Sequence, residues 1–125
     1  MYLIIRKDKL LTHIGIYIEN YGIVHYASLT NNFFGKDKVV KKDNLASFSL
    51  GRLVRIIPIM CSSSKEDVIS KSSIFPGALH DYHIIHNNCY TFVFWCLYGK
   101  CYTRFSDMMK FAFKYKIPML SFLLV

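Results

Sequence analysis

The stretch that decides the fold is Thr12-His13-Ile14-Gly15-Ile16-Tyr17-Ile18, followed by Glu19-Asn20-Tyr21-Gly22 and then Ile23-Val24-His25-Tyr26-Ala27-Ser28. The first run is β-branched and aromatic, which suits a strand. Strand side chains alternate, so His13, Gly15 and Tyr17 share one face and Ile14, Ile16 and Ile18 the other. Glu19–Gly22 has the composition of a hairpin turn. The returning strand Ile23–Ser28 then carries Ile23, His25 and Ala27 on one face. Pairing across the turn brings His25 beside His13.

Working outward, Tyr2–Ile5 reads as a short strand. Thr30–Gly35 is turn-rich, and Lys36–Leu45 is a weak, charged strand or loop. Arg52–Met60 is a strong strand, and Pro58 predicts that it lies at a sheet edge or ends there. Ser63 with Glu66, and Ser64 with Asp67, resemble capping boxes. They predict a helix from about Ser64 to Ser72, before a turn at Phe75-Pro76-Gly77. Tyr82–His86 reads as a short extended piece. Cys89–Tyr98 is apolar nearly all round, as a buried helix is, with Gly99 as its C-cap. Thr103–Tyr115 reads as a last helix, capped by Thr103 or Ser106. Strands followed by helices predict an α+β fold, an antiparallel sheet with helices on one face.

The chain has 125 residues, 53% hydrophobic and 16% aromatic, with formal net charge +8. That length fits one domain, residues 1–125, able to bury roughly two thirds of its unfolded surface. The aromatic content argues against disorder. The basic residues are scattered apart from Lys36, Lys38, Lys41 and Lys42. No nucleic-acid motif accompanies them, so nucleic acid is not the expected partner. A basic module binding anionic lipid or RNA through Lys36–Lys42 is the weakest of the functional readings. Cys61, Cys89, Cys96 and Cys101 show neither zinc nor disulfide-framework spacing, which predicts reduced thiols. His80, His83 and His86 recur every third residue but alternate faces in a strand, and Asp81 is the nearby carboxylate. A polar loop, with no metal and no cofactor, is the expectation there. The tail Ile117–Val125 is uncharged for about nine residues, where a spanning helix needs about 20. Residues 111–125 are either a core-packing segment or a membrane-associated tail.

Thiol chemistry requires a nucleophile, a base and a group that orients the base. Asn87 and Asn88 can cap a helix, which places Cys89 in its first turn. A helix start favours the thiolate, predicting a lowered thiol pKa, and its N–H groups can stabilise an oxyanion. His13 is the candidate base, expected to point toward a helix packed on the sheet. His25 is the candidate orienter. Isolated cysteines and histidines are more often structural, as Cys61 and Cys96 are expected to be; the three residues together point to a site.

His13-Ile14-Gly15-Ile16-Tyr17-Ile18, Gly22-Ile23-Val24-His25-Tyr26 and Asn88-Cys89-Tyr90-Thr91-Phe92-Val93 resemble the circularly permuted papain-like fold, which includes the lecithin:retinol acyltransferase-like and NlpC-like proteins. In the acyltransferase branch a base histidine opens a strand, a second histidine follows on the next, and the cysteine comes later in an Asn-Cys motif. His13, His25 and Cys89 match in that order. From His13 onward the chain is also similar to the plant reversion-to-ethylene-sensitivity proteins and their animal transmembrane-222-like relatives. These have a His-x-Gly-Ile strand, a late Asn-Cys helix and an apolar C-terminal segment. They usually carry an aspartate where His25 stands, and their apolar segments are longer.

The resemblance implies a thiol-dependent hydrolase or acyltransferase acting on a peptide, lipid (acyl) or thioester substrate. Cys89 would be nucleophile, His13 base and His25 orienter. It also implies a place at the cytosol-facing side of the endoplasmic reticulum or Golgi, with the cytoplasm as alternative. The competing expectation is a non-enzymatic, membrane-associated regulator of a membrane receptor or trafficking factor on the same fold.

Overall fold

The computed structural model describes residues 1–8, 12–28, 37–79, 88–100 and 105–117. Among the described residues there are five strands: β1 (Tyr2–Lys7), β2 (Thr12–Ile18), β3 (Gly22–Ser28), β4 (Lys38–Asp43) and β5 (Val54–Pro58). They form one sheet in the order β4-β3-β2-β1-β5, antiparallel throughout. The helices are α1 (Leu45–Ser49), α2 (Lys65–Ser73), α3 (Cys89–Tyr98) and α4 (Phe105–Tyr115), with a 3₁₀ turn over Pro76–Leu79.

The hairpin closes as its composition predicts. Asn20 and Gly22 take positive φ, and Ile16, Tyr17 and Ile18 pair with Val24, Ile23 and Gly22. Pro58, which lacks an N–H for a further ladder bond, ends β5 at one edge of the sheet. The charged stretch before Leu45 forms the other edge, β4. Lysine-rich edges disfavour pairing with foreign strands.

Alternation sorts the sheet into two faces. Leu3, Ile5, Ile14, Ile16, Ile18, Val24 and Tyr26 share the main core with α2, α3 and α4. Phe92, Val93 and Leu97 of α3 are buried there, each contributing about 1.5–3 kcal/mol by leaving water. Phe75 packs edge-on to Tyr26 and to Phe92, with centroids 5.2 Å apart in both pairs. Trp95 Nε1 donates to Lys71 O at 2.7 Å, tying α3 to α2. Phe94 and Phe111, 4.9 Å apart, tie α3 to α4.

The opposite face corrects the expectation of helices on one face alone. There α1, which the sequence pattern did not reveal, seats the fully buried Phe48 against Ile4 and Ile23. Asn44 starts α1 by accepting from the Ser47 N–H at 2.8 Å. As the sequence predicts, Ser64 caps α2 and Gly99 ends α3.

Among the described residues no helix is long and apolar enough to cross a membrane. The expectations placed on Thr30–Gly35, Tyr82–His86, Lys36, His80, His83, His86, Asn87, Cys101, Thr103 and the tail beyond Ile117 lie outside the described residues.

Candidate active site

His13 and His25 meet. His13 Nε2 lies 2.8 Å from His25 Nδ1, and His25 Nε2 lies 2.8 Å from Asp43 Oδ2. Asp43 ends β4, and the antiparallel register sets His25 opposite Lys41, so the carboxylate sits two residues along on the same face. A carboxylate only accepts, which fixes every proton in the chain. His25 Nε2–H donates to Asp43, leaving His25 Nδ1 as an acceptor. His13 Nε2–H donates to that nitrogen, and the His13 Nδ1 lone pair faces away from the relay.

Sequence reasoning missed Asp43. It stands in a lysine-rich run, and its role emerges only with the β3–β4 register. A lone carboxylate ending a strand that pairs with β3 is the signal that could have found it.

Packing holds the rings still. Phe48 stacks on His13 with centroids 5.4 Å apart and meets His25 edge-on at 5.0 Å. Arg6, opposite His13 in the β1–β2 register, lies over the Phe48 ring at 5.3 Å. It donates to Phe48 O at 2.6 Å and to both oxygens of Asp8 at 2.7 and 3.0 Å. Gly15 makes room for the relay. A Cβ there would stand 2.9 Å from Val24 O and 3.0 Å from His25 Cβ, so any side chain would push His25 off β2.

This corrects one expectation about His13. Its ring does not project into the layer of α3 but stacks on α1. Cys89, by contrast, belongs to the main core with Ile14. The two nonetheless meet the same end of β2 through its backbone. The β2–β3 pairs run from Ile18–Gly22 to Ile16–Val24, and α3 meets β2 just past that point. Tyr90 Oη donates to Thr12 O at 3.1 Å, and the Ile14 N–H acts on the Cys89 sulfur, favouring its anion. Thr12 C=O belongs to the peptide before His13 and the Ile14 N–H to the peptide after it. Two successive residues of α3 therefore bracket the histidine.

Asn88 starts α3 as predicted. Its side chain accepts from Tyr90 N–H at 2.9 Å and Thr91 N–H at 3.1 Å. Thr91 Oγ1 accepts from the Asn88 N–H at 2.8 Å, completing a capping box. The cap occupies the N–H groups of Tyr90 and Thr91 and not that of Cys89.

The electrostatics correct a second expectation. Burial pushes the Cys89 thiol up from an ordinary 9.0 to about 11, against the opposing pull of the Ile14 N–H and of the Lys38 charge. The helix start does not lower it, because removing an anion from water costs more than one turn of dipoles returns. Burial likewise lowers His25 to about 4, although its bond to Asp43 pulls the other way. His13 is lowered well below its ordinary value, first by burial and then by the charges of His25, Arg6, Lys38 and Lys41. At neutral pH the site holds a neutral thiol and two neutral imidazoles.

The other singled-out residues stand apart. Cys61 and Cys96 are free thiols packed with the main core. The lysine group is not one patch. Alternation sends Lys38 and Lys42 to one face and Lys41 to the other. Lys42 lies over the Tyr21 ring at 4.2 Å, and Lys41 is 3.5 Å from Asp43. Among the described residues no cluster of metal-ligating side chains is present.

A family model described as lecithin retinol acyltransferase matches residues 1–102. The chain belongs to that family. Members of the lecithin retinol acyltransferase family are typically acyltransferases or thiol hydrolases. The matched span includes His13, His25, Asp43 and Cys89. The five-stranded antiparallel sheet with four helices is consistent with this family's fold. No curated protein and no solved structure matches the chain.

Proposed function

We propose that this member of the lecithin retinol acyltransferase family is a thiol-dependent acyltransferase or hydrolase, with Cys89 as nucleophile, His13 as base, and His25 and Asp43 as orienting groups. The observation that carries this reading is the bracket around His13. Cys89 and Tyr90 lie against the two peptides that flank His13, the histidine at the open end of the relay.

The relay leaves His13 Nδ1 as the lone pair that takes a proton. The Cys89 proton passes to Nδ1 as sulfur bonds to the carbonyl carbon of an acyl, peptide or thioester donor. The carbonyl oxygen takes the negative charge, and the Cys89 N–H is the donor available to it. On collapse the bond to the leaving group breaks, and Nδ1 returns the proton to that group. Water or an acceptor hydroxyl or amine then attacks the thioester by the same steps. Because thiol and imidazole rest neutral, proton transfer accompanies attack rather than preceding it.

The finer placements follow the resemblance. The fold reads as circularly permuted papain-like, and the reversion-to-ethylene-sensitivity proteins share the His-x-Gly-Ile strand and the Asn-Cys helix. The apolar tail supports work at an internal membrane facing the cytosol.

The test is acylation of the full chain by an activated acyl ester, read by intact-protein mass. A single acyl group on Cys89, absent in Cys89→Ala and much reduced in His13→Gln, is the expected result. Acylation unchanged in Cys89→Ala refutes it. The buried thiol near 11 favours one second reading, a non-enzymatic membrane-associated regulator of a receptor or trafficking factor. In that case Cys89→Ala retains biological function.

A further inference from the structure

Cys89 begins α3 and Tyr98 ends it. A rise of 1.5 Å per residue sets the two about 13 Å apart along the axis. At the Tyr98 end, α3 and α4 enclose an open groove of about 210 Å³. Its floor is aromatic. The Phe94 ring lies 5.4 Å from Tyr98 and 4.9 Å from Phe111, and Tyr98 is 39% exposed. Its rim is basic, formed by Lys100 just past α3 and by Lys110 and Lys114 one turn apart on α4. Lys114 is partly engaged: its Nζ donates to Met60 O at 3.3 Å and lies 5.4 Å from the Tyr115 ring centroid. An ammonium has three donors, so a neutral carbonyl leaves two donors and the charge available. Asp107 brings one carboxylate to the same groove. Among the described residues it forms no salt bridge with these lysines. Three ammonium groups and one carboxylate therefore border a partly exposed aromatic floor.

Such a groove suits an anionic amphiphile. Lysines meet phosphate as point charges, and aromatic rings take the apolar part beside it. The volume is below the roughly 300–1,000 Å³ of a site that encloses a whole small ligand, so the groove holds one end of a larger one. The surroundings indicate a lipid surface. Phe113, 69% exposed, precedes Lys114, and Met60, 76% exposed, offers Lys114 its carbonyl. Beyond α4 the sequence has no charged side chain from Ile117 to Val125. Lysines interleaved with exposed apolar side chains match the headgroup layer of a membrane. We propose that the α3–α4 groove binds the phosphate headgroup of an anionic membrane lipid. This deepens and rests on the reading of work at an internal membrane, and it is independent of Cys89 as nucleophile. Bound this way, the end of α3 remote from Cys89 faces the lipid.

Flotation of the full chain with phosphatidylcholine vesicles, with and without phosphatidic acid, tests this at physiological ionic strength. The parent is expected to bind the anionic vesicles more tightly. Lys110→Gln should weaken that binding roughly fivefold, and Lys100→Gln with Lys110→Gln roughly twentyfold. These side chains are exposed, so the variants keep the fold, which Trp95 fluorescence checks. Asp107→Asn should strengthen binding. Lys42→Gln lies at the opposite edge of the sheet from β5, the strand whose Arg55 contacts the end of α4. It should change binding by less than about twofold, because salt screens exposed charges beyond about 8 Å. A folded double variant that binds like the parent overturns the proposal, as does a Lys42→Gln loss equal to that of Lys110→Gln. Equal binding to neutral and anionic vesicles overturns it while leaving the internal-membrane reading standing, and binding to neither removes both. Cys89→Ala should bind as the parent does, so failure of the acylation assay leaves the lipid result intact.

Discussion

Acid should loosen this fold through its buried histidines, and the size of the effect follows from His25. In the folded chain its pKa is about 4, against an ordinary 6.5. Above pH 6.5 the ring is neutral in both states and does not bias folding. Between pH 6.5 and 4 the unfolded chain binds a proton that the folded chain refuses. Stability therefore falls with falling pH, by about 1.4 kcal/mol per unit, on the order of 3 kcal/mol in all. His13, shifted in the same direction, adds to the loss. A domain of this size is stable by only about 5–15 kcal/mol, so the loss is large. Urea unfolding followed by Trp95 fluorescence, repeated from about pH 7 to pH 4, measures it. Aspartates and glutamates also titrate in that window, so the comparison is with His25→Gln, which keeps them all. The parent's slope of stability against pH should exceed the variant's by about one proton. Equal slopes would refute the claim that the fold holds a neutral, buried His25.

Two further substitutions probe the elements that hold the relay. In Gly15→Ala, the new Cβ meets Val24 O and His25 Cβ at 3.0 Å or less, which should cost about 1–3 kcal/mol. Thermal unfolding should then show Tm lower by roughly 4–12 °C, and an unchanged Tm would mean that β2 and β3 are not so closely apposed. Asn88→Ala leaves the Tyr90 and Thr91 N–H groups buried without their acceptor, costing about 1–2 kcal/mol. Asn88→Asp should recover most of that loss, as urea denaturation would show.

The central hairpin was legible because its alternation and turn chemistry are both strong, and β2 spans the residues its pattern indicates. Cys89–Tyr98 was legible as a helix because Asn88 and Gly99 punctuate it, despite its β-branched and aromatic content. β4 was weak because an edge strand buries little and can be mostly charged. α1 was invisible because five residues cannot show a helical period, and what identifies it, Phe48 beneath two histidines, is a tertiary contact. His13 and His25 could be paired from their positions on either side of the turn. Asp43 could not, since it joins them through a neighbouring strand. The thiol was misjudged for a related reason: a helix cap can be read from sequence, whereas the burial that outweighs it depends on Ile14 and the rest of the core.

The bracket around His13 also has a consequence for assembly. Residues 13, 25 and 43 belong to adjacent strands made early in synthesis, and their hairpin closes over short loops. The thiol arrives on a segment far downstream, and long-range closure is slow and entropically costly. The strands that carry the His13–His25–Asp43 chain are therefore made well before Cys89. Docking of α3, fastened by Tyr90 to the Thr12 carbonyl, comes later, so the thiol is brought to β2 only as the main core closes.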